Sequence, residues 1–182
     1  MPIDTDQQVT VLGLGYIGLP TAALIARSGC QVTGVDVSEK VVETVNSGKV
    51  HIEEVDLDGL VQGVVARGAL IASTEVAPGD SFVIAVPTPH DADHRPDISY
   101  VLAAARAIAP KLQAGNLVIL ESTSPVGTTE KVAALIAELR PDLKVPGACA
   151  GAADIFIAYC PERVLPGRIL VELVDKIGRA HV

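Results

Sequence analysis

Apolar and polar positions fall in blocks along this chain rather than alternating one by one. Short apolar runs (VTVL, QVTGV, LIAS, SFVIAV, NLVIL and DIFIAY) recur, each bounded by Gly, Pro, Ser, Asn or Asp. A continuous apolar run of that length suits a strand buried on both faces of a sheet, where no solvent side imposes alternation. The pattern predicts strands at 9–12, 31–35, 70–73, 81–86, 116–120 and 154–159. Between them, apolar residues at helical spacing predict helices at 19–27, 39–46, 57–66, 98–112 and 130–139. Ser38 and Asp97 stand where helix N-caps belong, and Gly29, Gly48, Gly68 and Gly115 where helices turn out of their last coil. Residues 141–153 (PDLKVPGACAGAA) have no period and read as an irregular connection. The pattern stops beyond Leu173, and 175–182 (DKIGRAHV) read as a tail without a recognisable element. Strands that alternate with helices predict an α/β fold. The expected form is a doubly wound, mostly parallel six-stranded sheet with helices on both faces.

Composition narrows the function classes. With 182 residues, about 150 per domain gives one domain and a little more. Hydrophobic residues make up 49% and charged residues 20%, with mean hydropathy +0.41, which excludes a disordered chain. The richest apolar stretch, 9–26, is interrupted by Gly13, Gly15, Gly18 and Pro20, so no membrane partner is expected. The polar, acidic start MPIDTDQQ has neither the basic nor the apolar region of a secretory signal. Net charge −8 with scattered Lys and Arg argues against nucleic acid as a partner. Cys30, Cys149 and Cys160 form neither a disulfide framework nor a metal spacing, and a reducing, cytoplasmic location is expected.

The sharpest chemical signal is VTVLGLGYIGLPTAALIA. It sets Gly13, Gly15 and Gly18 in a G-x-G-x-x-G turn that follows a strand and opens a helix. Gly13 allows the tight turn, Gly15 lets the backbone approach a pyrophosphate, and Gly18 lets helix and strand pack closely. The helix N-terminus then offers unpaired N–H donors and the positive end of its dipole. Glycines in such a turn also occur for packing alone. Here Asp36 closes the second strand, 18 residues beyond Gly18. A carboxylate there accepts hydrogen bonds from an adenine-ribose hydroxyl and repels an added ribose phosphate, so the cofactor expected on this Rossmann sheet is NAD rather than NADP.

In an open α/β sheet ligands lie outside the carboxyl ends of the strands, which directs attention to three later loops. Val86-Pro87-Thr88-Pro89 follows the fourth strand, where Thr88 either offers its hydroxyl to the cofactor or belongs to an ordinary stiff turn. The hydroxyl-rich 121–129 loop (ESTSPVGTT) follows the fifth. Its Thr128 or Thr129 suits a helix cap, while the density of hydroxyls suits a ribose or a sugar. Residues 159–168 (YCPERVLPGR) follow the sixth. Glu162 is there either a general base or the partner of a surface ion pair with Arg163 or Arg168. Cys160 has no nearby His in sequence to activate it and is expected to be a buried small apolar residue. His51, His90, His94 and His181 make no metal spacing, and the HDADHRPD context of His90 and His94 reads as a solvated loop, so no metal is expected.

Taken together, GLGYIGLPTAA, GVDVS, IAVPTP, ILESTSPVGTTEK and AYCPERVLPGR, in this order and spacing, resemble the N-terminal domain of the UDP-glucose/GDP-mannose dehydrogenase family. The likeness runs from about Val9 to Val174, so 1–174 are expected to be the NAD-binding domain. Within the family, AVPTP, ILESTSPVG and YCPERVLPGR look most like the branch acting on UDP-N-acetylhexosamines. The resemblance implies a four-electron oxidation in which a primary alcohol at C6 of a UDP-sugar becomes a carboxylate, two NAD are reduced and one water is consumed. It implies that Tyr16, Ile17 and Asp36, and later Thr88 and Thr129, contact NAD. It implies further that Arg163 and Val164 line the nucleotide-sugar site, and that Thr123 and Glu162 are catalytic polar groups beside the reacting carbon. Full-length members are expected to be homo-oligomers. The family's nucleophilic Cys, its catalytic Lys and its second nucleotide-binding domain lie downstream of the PER segment and have no counterpart here. A truncated or frame-shifted product is therefore expected, with GRAHV foreign to the family and no turnover by this chain alone. A non-catalytic NAD-binding module and a different Rossmann dehydrogenase, such as one acting on a hydroxy acid, are the competing readings.

Overall fold

The structure, a computed structural model, describes residues 7–90, 93, 96–149, 151–161, 164, 165 and 167–176. Six strands, β1 (Gln8–Leu12), β2 (Gln31–Val35), β3 (Leu70–Ser73), β4 (Ser81–Ile84), β5 (Leu117–Glu121) and β6 (Phe156–Cys160), make one sheet in the order β3-β2-β1-β4-β5-β6. Every pairing in it is parallel, where the sequence pattern predicts a mostly parallel sheet. Five helices lie where the periodicity places them: α1 (Gly18–Arg27), α2 (Glu39–Asn46), α3 (Leu57–Ala66), α4 (Ser99–Ile108) and α5 (Thr128–Leu139).

The apolar runs explain the layering. One core cluster packs Val9, Val11 and Val32 of the sheet against Leu19, Ala22, Val45, Leu57 and Val61 from α1, α2 and α3. The other packs Phe82, Ile84, Val118 and Leu120 against Val101, Ile108, Val132 and Ile136 from α4 and α5. Strands buried on both faces need no alternation, which is why β1, β4 and β5 read as solid apolar runs; β6 departs from that expectation, since it lies at the sheet edge with Phe156 and Tyr159 exposed.

Several boundaries differ from expectation, each for a local reason. The helix expected over 98–112 is α-helical only to Ile108, then tightens into a 3₁₀ turn, Ala109–Lys111, because Pro110 has no N–H to continue the ladder. Ser38 caps α2, its hydroxyl accepting from the Val41 N–H at 3.4 Å. Asp97 lies one residue ahead of the formal cap of α4, and its Oδ1 accepts from the Ser99 N–H at 2.8 Å. Neither Thr128 nor Thr129 caps α5. Gly127 takes the N-cap position, and the buried Thr128 hydroxyl donates to the Pro125 carbonyl at 2.7 Å, tying down the preceding turn.

One element escapes the pattern altogether. A sixth helix, α6 (Ile169–Lys176), follows the β6 loop and includes 175 and 176, which the pattern assigns to the tail. It packs beside α1, with Ile169 and Leu173 buried and Leu170 against the first core cluster. The chain thus leaves β6 at one edge of the sheet and returns to the α1 face.

Candidate functional site

The strand order reverses between β1 and β4, since β1 leads to β2 on one side while β4 leads to β5 on the other. The loops leaving their carboxyl ends diverge, and a crevice opens between them. It is a cleft of about 300 Å³ lined by Gly15–Ile17, Ala85–Thr88 and Glu121–Thr123. Tyr16, Ile17, Thr88 and Thr123 therefore meet in one place although more than a hundred positions separate the first from the last.

The glycine turn divides the work between its three glycines. Gly13 has φ +89°, and a Cβ there would stand 2.7 Å from the Ala85 carbonyl oxygen, so the turn presses on the end of β4. A Cβ on Gly18 would collide with the Gly13 carbonyl oxygen. Its contact is thus with the turn itself and, at 3.2 Å, with the Ala85 side chain, which is how the helix start sits so close to the sheet. Around Gly15 there is nothing within 4 Å of the Cβ position. The turn runs straight into α1, where the Leu19 and Thr21 N–H groups donate to the Gly15 and Ile17 carbonyls at 3.1 and 3.0 Å and Pro20 has no N–H. A bare backbone at the positive end of the helix dipole fits a pyrophosphate.

Asp36 caps this arrangement. Its Oδ2 accepts from the Leu14 N–H and its Oδ1 from the Ser38 N–H, both at 2.9 Å. The carboxylate is thereby fixed at the end of β2 and braces the glycine turn before any ligand arrives. Each oxygen keeps acceptor capacity for a ribose hydroxyl. Gly34 contributes a detail absent from the sequence reading: a Cβ there would stand 2.6 Å from Leu14 Cδ2, so β2 leaves room for the side chain of the turn. These residues fit NAD: bare backbone for the pyrophosphate and a carboxylate for the adenine ribose.

Across the cleft, the Thr88 hydroxyl donates to the Thr123 carbonyl at 2.6 Å. This bond latches the β4 loop to the β5 loop. The Ser122 and Ser124 hydroxyls lie 2.6 Å apart, and the Tyr159 hydroxyl donates to the Ser122 carbonyl at 3.1 Å. Sequence reasoning singled out Thr123 but passed over Glu121 and Ser122, which are both buried and both line the cleft. The signal for Glu121 is a carboxylate closing an otherwise apolar strand at a ligand-facing end. Thr129 is half-buried in the first turn of α5 and is not among the cleft-lining residues.

Cys160 corrects an expectation. It is exposed rather than buried, because β6 is an edge strand, and Cys30 is the buried cysteine. Cys160 pairs in register with Glu121. Partial burial of the thiol, and then the nearby Glu121 carboxylate, push its pKa up and disfavour the thiolate. Glu162 and Arg163 lie outside the described residues, as does His94. Val164 is half-buried, and Arg168 is exposed. No helix among the described residues is long and apolar enough to cross a membrane.

Comparison with known proteins matches residues 7–179 to the NAD binding domain of the UDP-glucose/GDP-mannose dehydrogenase family. The chain is 56% identical over 166 residues to UDP-N-acetyl-D-mannosamine dehydrogenase of Escherichia coli, covering 91% of this chain and 40% of that protein. It is 53% identical over 174 residues to an NDP-N-acetyl-D-galactosaminuronic acid dehydrogenase of Ralstonia nicotianae, of which it covers 41%. Among solved structures, the UDP-D-ManNAc dehydrogenase of Pyrococcus horikoshii superposes with a TM-score of 0.83 at 41% identity, covering 91% of this chain and 38% of that one. The chain spans about 40% of the length of the curated relatives it matches. Switch-point cleft, glycine turn, strand-end carboxylate and family match agree, and this chain belongs to the UDP-glucose/GDP-mannose dehydrogenase family, whose NAD-binding domain it carries.

Proposed function

We propose that this chain serves the oxidation of a UDP-N-acetylhexosamine, specifically UDP-N-acetyl-D-mannosamine, at C6 to the uronic acid, supplying the cofactor half of the site and not turning over alone. The observation that carries this reading is the juxtaposition in one cleft of the glycine turn, Thr88 and the Glu121–Ser122–Thr123 strand end. NAD, when bound, accepts hydride from the alcohol carbon. Gly15, Tyr16 and Ile17 hold its pyrophosphate end, Asp36 its adenine ribose, and Thr88 and Thr129 the remainder. Thr123 offers a neutral hydroxyl at the reacting carbon, where it orients a sugar hydroxyl or a water without adding charge. Glu162 is the base that holds or moves a proton there, and Arg163 and Val164 face the nucleotide sugar. The relatives named for UDP-N-acetyl-D-mannosamine support the choice of sugar.

A second oxidation to the acid requires a covalent nucleophile, and Cys160, with its thiol pKa raised, is poorly suited to be one. That observation favours a chain that binds NAD without completing the reaction. The test is to incubate the purified chain with NAD and UDP-N-acetyl-D-mannosamine and follow NADH absorbance, with a full-length relative as positive control. Calorimetric titration with NAD and NADP runs alongside. NAD binding that Asp36→Ala weakens, with no NADH formed, is expected. Sustained, substrate-dependent NADH from the chain alone would sink the claim that it does not turn over, and equal affinity for NADP would overturn the role of Asp36.

A further inference from the structure

The backbone entering α6 is held by carboxylates from two parts of the molecule. Glu54, in the connection between α2 and α3, accepts from the Gly167 N–H through Oε2 and from the Ile169 N–H through Oε1, both at 2.7 Å. Those partners lie 113 and 115 positions away in sequence. Glu172, buried in α6, accepts from the Leu165 N–H at 2.9 Å. Three successive alternate N–H groups, at 165, 167 and 169, are therefore each taken by a carboxylate oxygen. Gly167 has φ +81°, and Asp56, two residues after Glu54, is the one non-glycine residue with positive φ among those described, at +61°. Positive φ is uncommon for a residue with a side chain, so the Asp56 backbone, two residues on from the clamping carboxylate, is held there by its surroundings.

We propose that Glu54 is a positioning residue for the nucleotide sugar: it locks the trailing end of the β6–α6 loop and so sets where Val164, immediately before the clamped segment, stands. This rests on the assignment of Arg163 and Val164 to the sugar-nucleotide site. A carboxylate is suited to the task because charge-assisted hydrogen bonds are short and about twice as strong as neutral ones. Its two oxygens grip two N–H groups at once, which fixes direction as well as distance. A glutamate reaching from the α2–α3 connection also joins the loop to the face that carries α1, the helix into which the cleft-lining residues Gly15–Ile17 lead. The loop is thereby indexed to the cofactor side of the site rather than only to its own strand.

The test uses isotopically labelled full chain, with amide hydrogen exchange read at Leu165, Gly167, Ile169 and, as a control for the fold, Val11. UDP is the probe, titrated while the Val164 amide shift is followed. In Glu54→Ala, exchange at Gly167 and Ile169 is expected to quicken by about tenfold or more, the least that losing charged hydrogen bonds produces. Val11 exchange and NAD affinity stay as in the unsubstituted chain, while the UDP dissociation constant read at Val164 rises by about fivefold or more. Glu54→Gln, which keeps one carbonyl acceptor, falls between the two and serves if the alanine variant does not fold. Unchanged exchange at 167 and 169 overturns the clamp. Faster exchange with unchanged UDP binding overturns the positioning role and leaves Glu54 a structural tie. If UDP does not move Val164 even in the unsubstituted chain, the assignment of the loop to the sugar nucleotide is what fails, and the proposal falls with it.

Discussion

Gly15 and Gly18 stand three residues apart in one turn and answer to different demands. Gly18 is required by the fold, because the space of its missing side chain is occupied by the Gly13 carbonyl. Gly15 faces open space, so only a ligand needs it bare. Gly18→Ala is therefore expected to cost about 3 kcal/mol or more of stability through a backbone clash, measured by urea unfolding. Gly15→Ala is expected to leave the unfolding midpoint unchanged or slightly raised while weakening NAD by about tenfold or more, since a methyl then fills the space meant for the pyrophosphate. If both variants unfold alike, the division of labour within the turn is wrong. Asp56 offers a third residue-scale test. It holds φ +61° at the start of α3 and its side chain makes no capping bond. Asp56→Gly removes the left-handed strain at little loss and should raise stability by up to about 1 kcal/mol.

At the scale of elements, helix starts carry the chemistry that pH reaches. The Ser99 backbone N–H first, and the Ser99 side chain second, hold the Asp97 carboxyl below the usual carboxylate range. The folded value is thus lower than the unfolded one. Its contribution is present above the unfolded pKa and is lost as pH falls through the folded pKa. The N-terminus of α4 should loosen only on acidification, seen as faster exchange and a shifted resonance of the Ser99 amide. Asp97→Asn keeps an acceptor oxygen but cannot titrate, and should make that resonance independent of acid. Ser38, Asp97 and the helix-ending glycines were readable because capping is a local matter between a side chain and the nearest N–H groups. The Thr128 hydroxyl was not. Whether it bonds forward to the helix or back to Pro125 depends on the positive φ at Gly127, which a sequence does not display.

For the molecule as a whole, the sheet order places the site, and α6 returns the chain from the β6 edge to α1. Ile169 and Leu173 bury themselves beside α1, so a helix from the far end of the described chain is docked on the first. Ile169→Ala is expected to cost about 3 kcal/mol, measured by urea unfolding, because the cavity opens against a packed helix pair that cannot collapse freely. A cost below about 1 kcal/mol would mean that α6 is only loosely attached. The same docking brings Gly167 and Ile169 to Glu54, so stability at α6 and order in the loop before it should change together.

The sequence by itself determined the α/β class, the six strands, the glycine turn and the Asp36 carboxylate that ends β2. These rest on local causes: apolar runs bounded by breakers, glycines at fixed offsets, and a carboxylate at a strand end. It also pointed to Thr88, because ligand-facing residues follow the carboxyl ends of strands whatever the sheet order, while Tyr16 and Thr123 came from the likeness to the family. Tertiary structure alone decided that Thr88 latches onto Thr123, that Glu121 sits buried in the cleft beside them, and that Cys160 is exposed on an edge strand. It alone brought Glu54 to backbone groups more than a hundred residues away. Those outcomes depend on which strand lies next to which and on where the chain recrosses the sheet. No period or spacing encodes such distances, because they arise from packing between segments whose separation along the chain is unrelated to their separation in space.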